Sequence, residues 1–158
     1  MSRTHAMRPE IRTIVSFKSM AFNMAEPRTY FINPRCFGDD LAKWLILELR
    51  NRGVNADGEP SQEDFGWYFN FQVVGMPHTL VIGHRPGDER GEGTWIGWIE
   101  RRRGFVASLL GARRRGIDPS ASETLHSILS SSSQIRDIRW HLQQDFDKGH
   151  EDLGASAP

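Results

Sequence analysis

The clearest pattern in the chain is a strict alternation of apolar and polar side chains over residues 65–73. The apolar positions, four of them aromatic, are Phe65, Trp67, Phe69, Phe71 and Val73. A period of two residues is typical of a strand with one buried face. We predict that these rings form the core of a sheet, and a ligand pocket beside them is the alternative interpretation.

Two further β-prone runs follow, at residues 78–85 and 94–102, and short turns rich in Gly and Pro separate the three runs. Consecutive strands joined by tight turns predict an antiparallel meander. The last run places bulky side chains on both of its faces; they are Trp95, Ile96, Trp98 and Ile99. We predict that it is a central strand, or one that the C-terminal segments cover.

Amphipathic helices are predicted on both sides of the meander. Residues 39–52 carry an apolar stripe with i, i+3, i+4 and i+8 spacing, an N-cap at Asp39 and a stop at Gly53. A second helix is predicted to begin after Asp118, and a third to cover residues 134–146 after a run of serines. The stripe of the first helix must pack on a sheet or on another helix.

These elements predict a single α+β domain over residues 25–147 with the order β-α-β-β-β-α-α. Its antiparallel sheet would have about four strands, the first at residues 28–36, with the first helix packed on one face. Residues 1–24 are predicted to be an N-terminal extension, either disordered or a strand. Residues 148–158 are predicted to be a disordered tail.

Length and composition indicate a single globular domain and limit the partners and compartments that we expect for it. The 158 residues fit one domain, and 38% apolar with 25% charged residues is a globular composition. Lys plus Arg equals Asp plus Glu at 20 each, so the net charge indicates neither nucleic acid nor an acidic ligand. The single Cys36 excludes an intrachain disulfide. Since we find neither a secretory signal nor a run long enough to span a membrane, we expect a cytoplasmic protein.

An enzyme site or small-ligand pocket would have to lie beside the aromatic strand. Its candidate residues are Glu63, Asp64, Trp67, His78 and His84. Glu63 and Asp64 could act as a general acid and base, although a solvated loop is the simpler explanation of the pair. His78 and His84 would lie about 20 Å apart along one strand, too far to share a metal ion. We therefore predict no catalytic residue, no metal site and no cofactor.

The most unusual local feature is the Arg-rich segment, residues 101–115, in which two Arg triplets flank a short apolar run. The triplets are Arg101, Arg102, Arg103, Arg113, Arg114 and Arg115. They create a local positive field in a neutral chain. The segment could bind a protein, the phosphates of nucleic acid or an anionic membrane surface. It could also be a solvated loop around a piece of core.

The runs FGDDLAKWLILELRNRG and PSQEDFGWYFNF resemble a class of small bacterial α+β proteins. In that class a capped, Trp-containing helix precedes a strand with a Glu-Asp-aromatic-Gly-Trp pattern. The resemblance covers residues 29–100 and implies an α+β fold with a bacterial, cytoplasmic origin. It implies no activity that could be assigned to particular residues.

We find no catalytic constellation in the sequence, so we expect a non-enzymatic binding protein of the adaptor or immunity type. Its partner is expected to be another protein, which would contact the Arg-rich segment and one face of the sheet. One alternative is a small-ligand binder or enzyme that uses the pocket beside the aromatic strand. The other is a nucleic-acid binder that uses the Arg triplets.

Overall fold

A computed structural model describes residues 10–87, 91–101 and 116–158. Within these ranges the chain has an α+β fold, in which seven antiparallel strands form one sheet and three α-helices accompany it. The strands are β1 (Ile14–Lys18), β2 (Asn55–Ala56), β3 (Ser61–Glu63), β4 (Gly66–Val73), β5 (Met76–Arg85), β6 (Thr94–Arg101) and β7 (Arg136–His141). The helices are α1 (Asp39–Asn51), α2 (Pro119–Ser131) and α3 (Gln143–Asp147), and a short 3-10 helix covers Glu151–Leu153.

The predicted meander forms the centre of the sheet. Strands β4, β5 and β6 pair in sequence order, with Leu80 opposite both Phe69 and Ile99. The β4–β5 turn has positive φ at both of its central residues, 46° at Val74 and 72° at Gly75. This conformation gives a two-residue hairpin whose twist matches that of the strands. The sheet order is β2-β4-β5-β6-β1-β7, with β3 also paired to β4.

The core lies on the helix-covered face of the sheet, between the strands and helices α1 and α2. The strands contribute large buried side chains, which include Val15, Phe17, Trp67, Phe69, Phe71, Leu80, Ile82, Trp95, Ile99 and Trp140. The predicted inward direction of the aromatic strand is confirmed from Trp67 to Val73. Phe65 is the exception, since β4 begins only at Gly66 and the Phe65 ring is 57% exposed.

Both long helices follow their sequence signals. The stripe of α1 is buried at Leu41, Leu45 and Leu49, while Trp44 is only partly buried. The N-cap position of α1 is Gly38 rather than the predicted Asp39, whose carboxylate instead accepts a hydrogen bond from the Tyr30 hydroxyl. At α2 the predicted cap is present, because Asp118 Oδ1 accepts from the backbone N–H of Ser120 at 2.9 Å.

The N-terminal part of the chain differs from the prediction. Residues 28–36, predicted as the first strand, form turns and bends instead. The first strand is β1, which agrees with the strand alternative for residues 1–24. Strand β1 pairs with β6 on one side and β7 on the other, so it is central in the sheet. Seven strands therefore replace the predicted four, because β2 and β3 are only two and three residues long, β1 was predicted only as an alternative, and β7 also fits a helical spacing.

The C-terminal part also differs. The segment predicted as a third helix, residues 134–146, begins as strand β7 and becomes helical only at Gln143. In β7, Trp140 is fully buried on the helix-covered face beside Val15 of β1. The tail predicted to be disordered is tied to the sheet, since Ala155 exchanges two backbone hydrogen bonds with Trp140 at 2.7 and 2.8 Å.

Candidate functional site

Trp67 lies at the centre of the predicted pocket. Its ring is buried in the core and does not line an open pocket. Only 5% of Trp67 is exposed, and its Nε1–H donates to the Cys36 carbonyl at 2.9 Å. The Phe31 ring packs against it at 5.2 Å between centroids, and the Tyr30 ring at 6.4 Å. The loop before α1 thus covers the start of the aromatic strand.

The two acidic candidates beside this strand do not converge on a common point. Glu63 ends β3 and Asp64 follows in the turn, and both are exposed. The backbone carbonyl of Asp64 accepts from Asn33 Nδ2 at 3.2 Å and from the Cys36 thiol at 3.4 Å. Burial raises the pKa of that thiol, which works against a thiolate nucleophile. These contacts hold the backbone of the turn against the loop before α1.

His78, another pocket candidate, is fully buried in β5 and stacks on Phe71 at 5.8 Å. Its Nδ1 lies 2.9 Å from the Met76 carbonyl, which can only accept, so Nδ1 carries the proton. Its Nε2 accepts from the backbone N–H of Asp118 at 3.1 Å. Burial lowers the pKa of His78, which keeps the ring neutral and preserves both hydrogen bonds.

His78 also lies beside the described residues that flank positions 102–115. Arg101, the last residue of β6, pairs with His78 in the strand register, and its Nη1 donates to the Pro77 carbonyl at 2.6 Å. The chain re-enters the described structure at Gly116, and Ile117 is buried in the core just before Asp118 contacts His78. Arg101 and Asp118, which flank residues 102–115 in the chain, therefore both contact the same stretch of β5. The other five arginines, namely Arg102, Arg103, Arg113, Arg114 and Arg115, lie outside the described residues.

The sheet face turned away from α1 and α2, here called the opposite face, carries a row of partly exposed side chains. Tyr68 of β4, Val81 of β5 and Trp98 of β6 are directly opposite one another in the register. Val81, in the middle of the row, is buried, while Tyr68, Trp98 and the nearby Ile96 are partly exposed. The C-terminal segment reaches the β7 side of this face, where Phe146 packs against His141 at 5.4 Å. The result is an amphipathic surface with two aromatic rings near its centre.

His84 lies at the other end of β5 from His78 and does not join it. The His84 ring packs against Trp95 at 4.6 Å between centroids, and its Nε2 lies 3.0 Å from the Glu92 carbonyl. Burial lowers the pKa of His84 as well. Among the described residues, we find no cluster of three or more His, Cys, Asp or Glu side chains that could hold a metal ion.

Sequence reasoning missed a buried pair formed by Ser16 and His141. Their Oγ and Nε2 atoms are 2.7 Å apart on the opposite face, where β1 and β7 pair. His141 Nδ1 is buried and has no hydrogen-bond partner among the described residues, and burial lowers the pKa of this ring. No local signal could have found the pair, because 125 residues separate its members along the chain.

The comparisons with known proteins provide no family or relative for this chain. No protein family, curated protein or solved structure matches it. The resemblance to small bacterial α+β proteins therefore stays a prediction. Within the part of the chain that the structure describes, we find no helix whose length and apolar character would let it cross a membrane.

Proposed function

We propose that this protein is a non-enzymatic binding protein that recognises another protein through its Arg-rich segment and the opposite face of the sheet. The observation that carries the proposal is the common contact made by the residues that flank positions 102–115. Arg101 and Asp118 both donate a hydrogen bond to the β5 stretch from Pro77 to His78. The described residues that flank positions 102–115 thus belong to a packed core, and binding residues are commonly placed on segments that a rigid scaffold positions.

The chemistry of the surface favours a protein partner. Arginine, tyrosine and tryptophan are the residue types most enriched among those that dominate binding energy at protein interfaces. The segment supplies arginines, and the opposite face supplies the partly exposed rings of Tyr68 and Trp98. Because the chain as a whole is neutral, the positive field is local to the segment and would favour a partner with an acidic patch.

The candidate pocket beside the aromatic strand supports an enzyme less well. Trp67 and His78 are buried and engaged in structural hydrogen bonds, whereas Glu63 and Asp64 are exposed in a turn. The residues that would have to act together on a substrate are not brought together.

The test is an affinity capture with two charge-matched variants. The test variant changes Arg102, Arg103, Arg113, Arg114 and Arg115 to Ser, and keeps Arg101 because its side chain holds Pro77. The control variant changes to Ser five exposed cationic residues that lie outside both surfaces, namely Arg28, Arg35, Lys43, Arg52 and Lys148. We expect a protein captured by the wild type to be retained by the control and lost from the test variant.

Three outcomes would contradict the proposal. One is capture that is equal for both variants, and another is a partner lost only from the control. The third is binding that belongs to nucleic acid, which would appear as capture abolished by nuclease and as an affinity that falls steeply with salt concentration. Far-ultraviolet circular dichroism of each variant shows whether it has kept its fold.

A further inference from the structure

A cavity at the outer end of β5 and β6 brings together residues that the sequence keeps apart. Its volume is about 660 Å³, and it lies where the loop after β1 approaches the β5–β6 connection. The side chains that line it include two thioethers, an imidazole, one ammonium and one carboxylate; they belong to Met20, Met24, His84, Lys18 and Glu92. We call it the Met–His cavity.

The loop that carries both methionines is held against the core by the residue between them. The Phe22 ring packs against Trp44 of α1 at 5.7 Å and against Trp95 of β6 at 6.1 Å. The next backbone N–H, at Asn23, donates to Asp40 Oδ2 at 2.7 Å. Because Phe22 is anchored, its neighbours two residues away on either side are kept at the cavity. Met20 is 68% exposed there, so its flexible side chain can reorient onto a ligand.

His84 faces the same cavity with a defined tautomer. The Glu92 carbonyl can only accept, so the Nε2 of His84 carries the hydrogen of that 3.0 Å contact and Nδ1 keeps its lone pair. Nδ1 makes no hydrogen bond within the described part of the chain. A metal-bound histidine usually donates its other ring N–H to a carbonyl or carboxylate, which is the arrangement His84 already has.

The absence of a side chain at Gly93 leaves room for the His84 ring to reach the Glu92 carbonyl. Its φ is 72°, and a Cβ built there would be 2.8 Å from His84 Nε2 and 2.4 Å from the Arg85 carbonyl. Any larger residue would displace the ring from Glu92. The imidazole is therefore positioned by the backbone of the β5–β6 connection and by the Trp95 ring.

The charges around the cavity determine which kind of metal ion can bind there. Lys18 Nζ donates to the Gly93 carbonyl at 2.8 Å and to Thr94 Oγ1 at 2.9 Å, which places a positive charge at the wall. The one lining carboxylate, Glu92, pairs with Arg136 through Oε1, and its Oε2 is buried with no hydrogen-bond partner among the described residues. Hard divalent cations require several oxygen ligands, which this wall does not supply. Thioether and imidazole ligands beside a cationic wall instead suit a soft ion of low charge.

We propose that Met20, Met24 and His84 form a binding site for Cu(I), with the two Sδ atoms and the Nδ1 atom of His84 as ligands. The site is independent of the Arg-rich segment. Silver(I), which has the same charge and preference for soft ligands and does not change oxidation state, is the probe of choice.

The experiment uses the full chain with Cys36→Ser, because a free thiol would capture silver itself. The protein is labelled with ¹³C at the methionine methyl groups, and its five methionines are followed by NMR during titration with Ag(I). We expect the methyl signals of Met20 and Met24 to shift together and to saturate at one equivalent. Met76, a partly exposed methionine in β5 away from the cavity, is the internal control and is expected not to shift.

Three variants test whether the proposed ligands bind Ag(I). Met20→Leu with Met24→Leu keeps the volume of both side chains, and His84→Gln removes the nitrogen ligand. Both are expected to weaken Ag(I) binding more than about tenfold, while His150→Gln, at an exposed histidine, leaves it unchanged. The proposal is overturned if no signal shifts, if the shifts are confined to Met1, Met7 or Met76, or if the double Leu variant binds as tightly as its parent.

Discussion

The two faces of the sheet are built from the same strands but differ in what surrounds them. On the helix-covered face, Phe69 and Trp95 are completely buried beneath α1 and α2. On the opposite face, the strand neighbours of these residues, such as Tyr68 and Ile96, keep part of their surface in solvent. Since successive strand residues point to opposite faces, one sequence can hold a closed core and an amphipathic surface at once. We infer that the first face stabilises the fold and that the second is available for recognition.

Removing a core ring should have the largest effect. Phe69→Ala leaves a cavity between β4, α1 and the flanking strands, and should lower the free energy of unfolding by about 3–5 kcal/mol. Urea denaturation measures this change. Gln72→Ala, on the same strand but exposed on the opposite face, is the matched control and should change the value by less than about 0.5 kcal/mol. Equal losses for the two variants would mean that the faces are not divided as described.

Acidification should have the next largest effect, and it acts on both faces. Burial lowers the pKa values of His78, His84 and His141 from an ordinary value of 6.5. The unfolded chain therefore binds protons near pH 6.5 that the folded chain refuses, so stability is complete above this pH and falls as the pH decreases through it. Urea denaturation at pH 7.5 and 5.5 measures the loss.

Two histidine variants separate the contributions of the faces to this pH dependence. His78→Gln removes the group buried on the helix-covered face, and His141→Gln removes the one on the opposite face. Each should make the stability difference between the two pH values smaller than in the wild type. A wild type whose stability is equal at both pH values would show that these rings are not held neutral.

Truncating the central ring of the opposite face should have the smallest effect on stability. Trp98 is only partly buried, so Trp98→Ala should lower the free energy of unfolding by about 1 kcal/mol, the typical cost of a substitution. The same variant should bind the captured partner much less tightly, because tryptophans near the centre of an interface carry much of its affinity. Isothermal titration calorimetry measures the affinity. A variant with strongly reduced stability and unchanged affinity would assign Trp98 to the core.

The elements that could be predicted from the sequence are those whose signals are local. The alternation around Phe69 and the Asp118 cap each lie within a few residues of the element that they define. Strand β7 was predicted as a helix because Ile135, Ile138 and Leu142 also fit a helical spacing. The spacing alone did not show that Trp140 must reach the core beside β1.

The remaining features depend on contacts between distant parts of the chain. Strand β1 is central only because β6 and β7 come to it from about 80 and 125 residues away, and periodicity carries no information on such pairing. The structural role of His78 could not be predicted for the same reason, since Asp118, whose backbone N–H donates to it, lies 40 residues further along the chain. The pocket candidates were chosen for their residue types, and only the packing of Phe31 over Trp67 showed that the strand is covered.

The most direct test of the account is hydroxyl-radical footprinting of the protein with and without the partner obtained by affinity capture. We expect partner binding to protect Tyr68, Trp98 and the peptides of the Arg-rich segment, while oxidation of Trp95 stays low in both states because its ring is buried. Leu47, which is 56% exposed on the outer side of α1, should be oxidised equally with and without the partner. Protection of Leu47 with unchanged oxidation of Tyr68 and Trp98 would contradict the account.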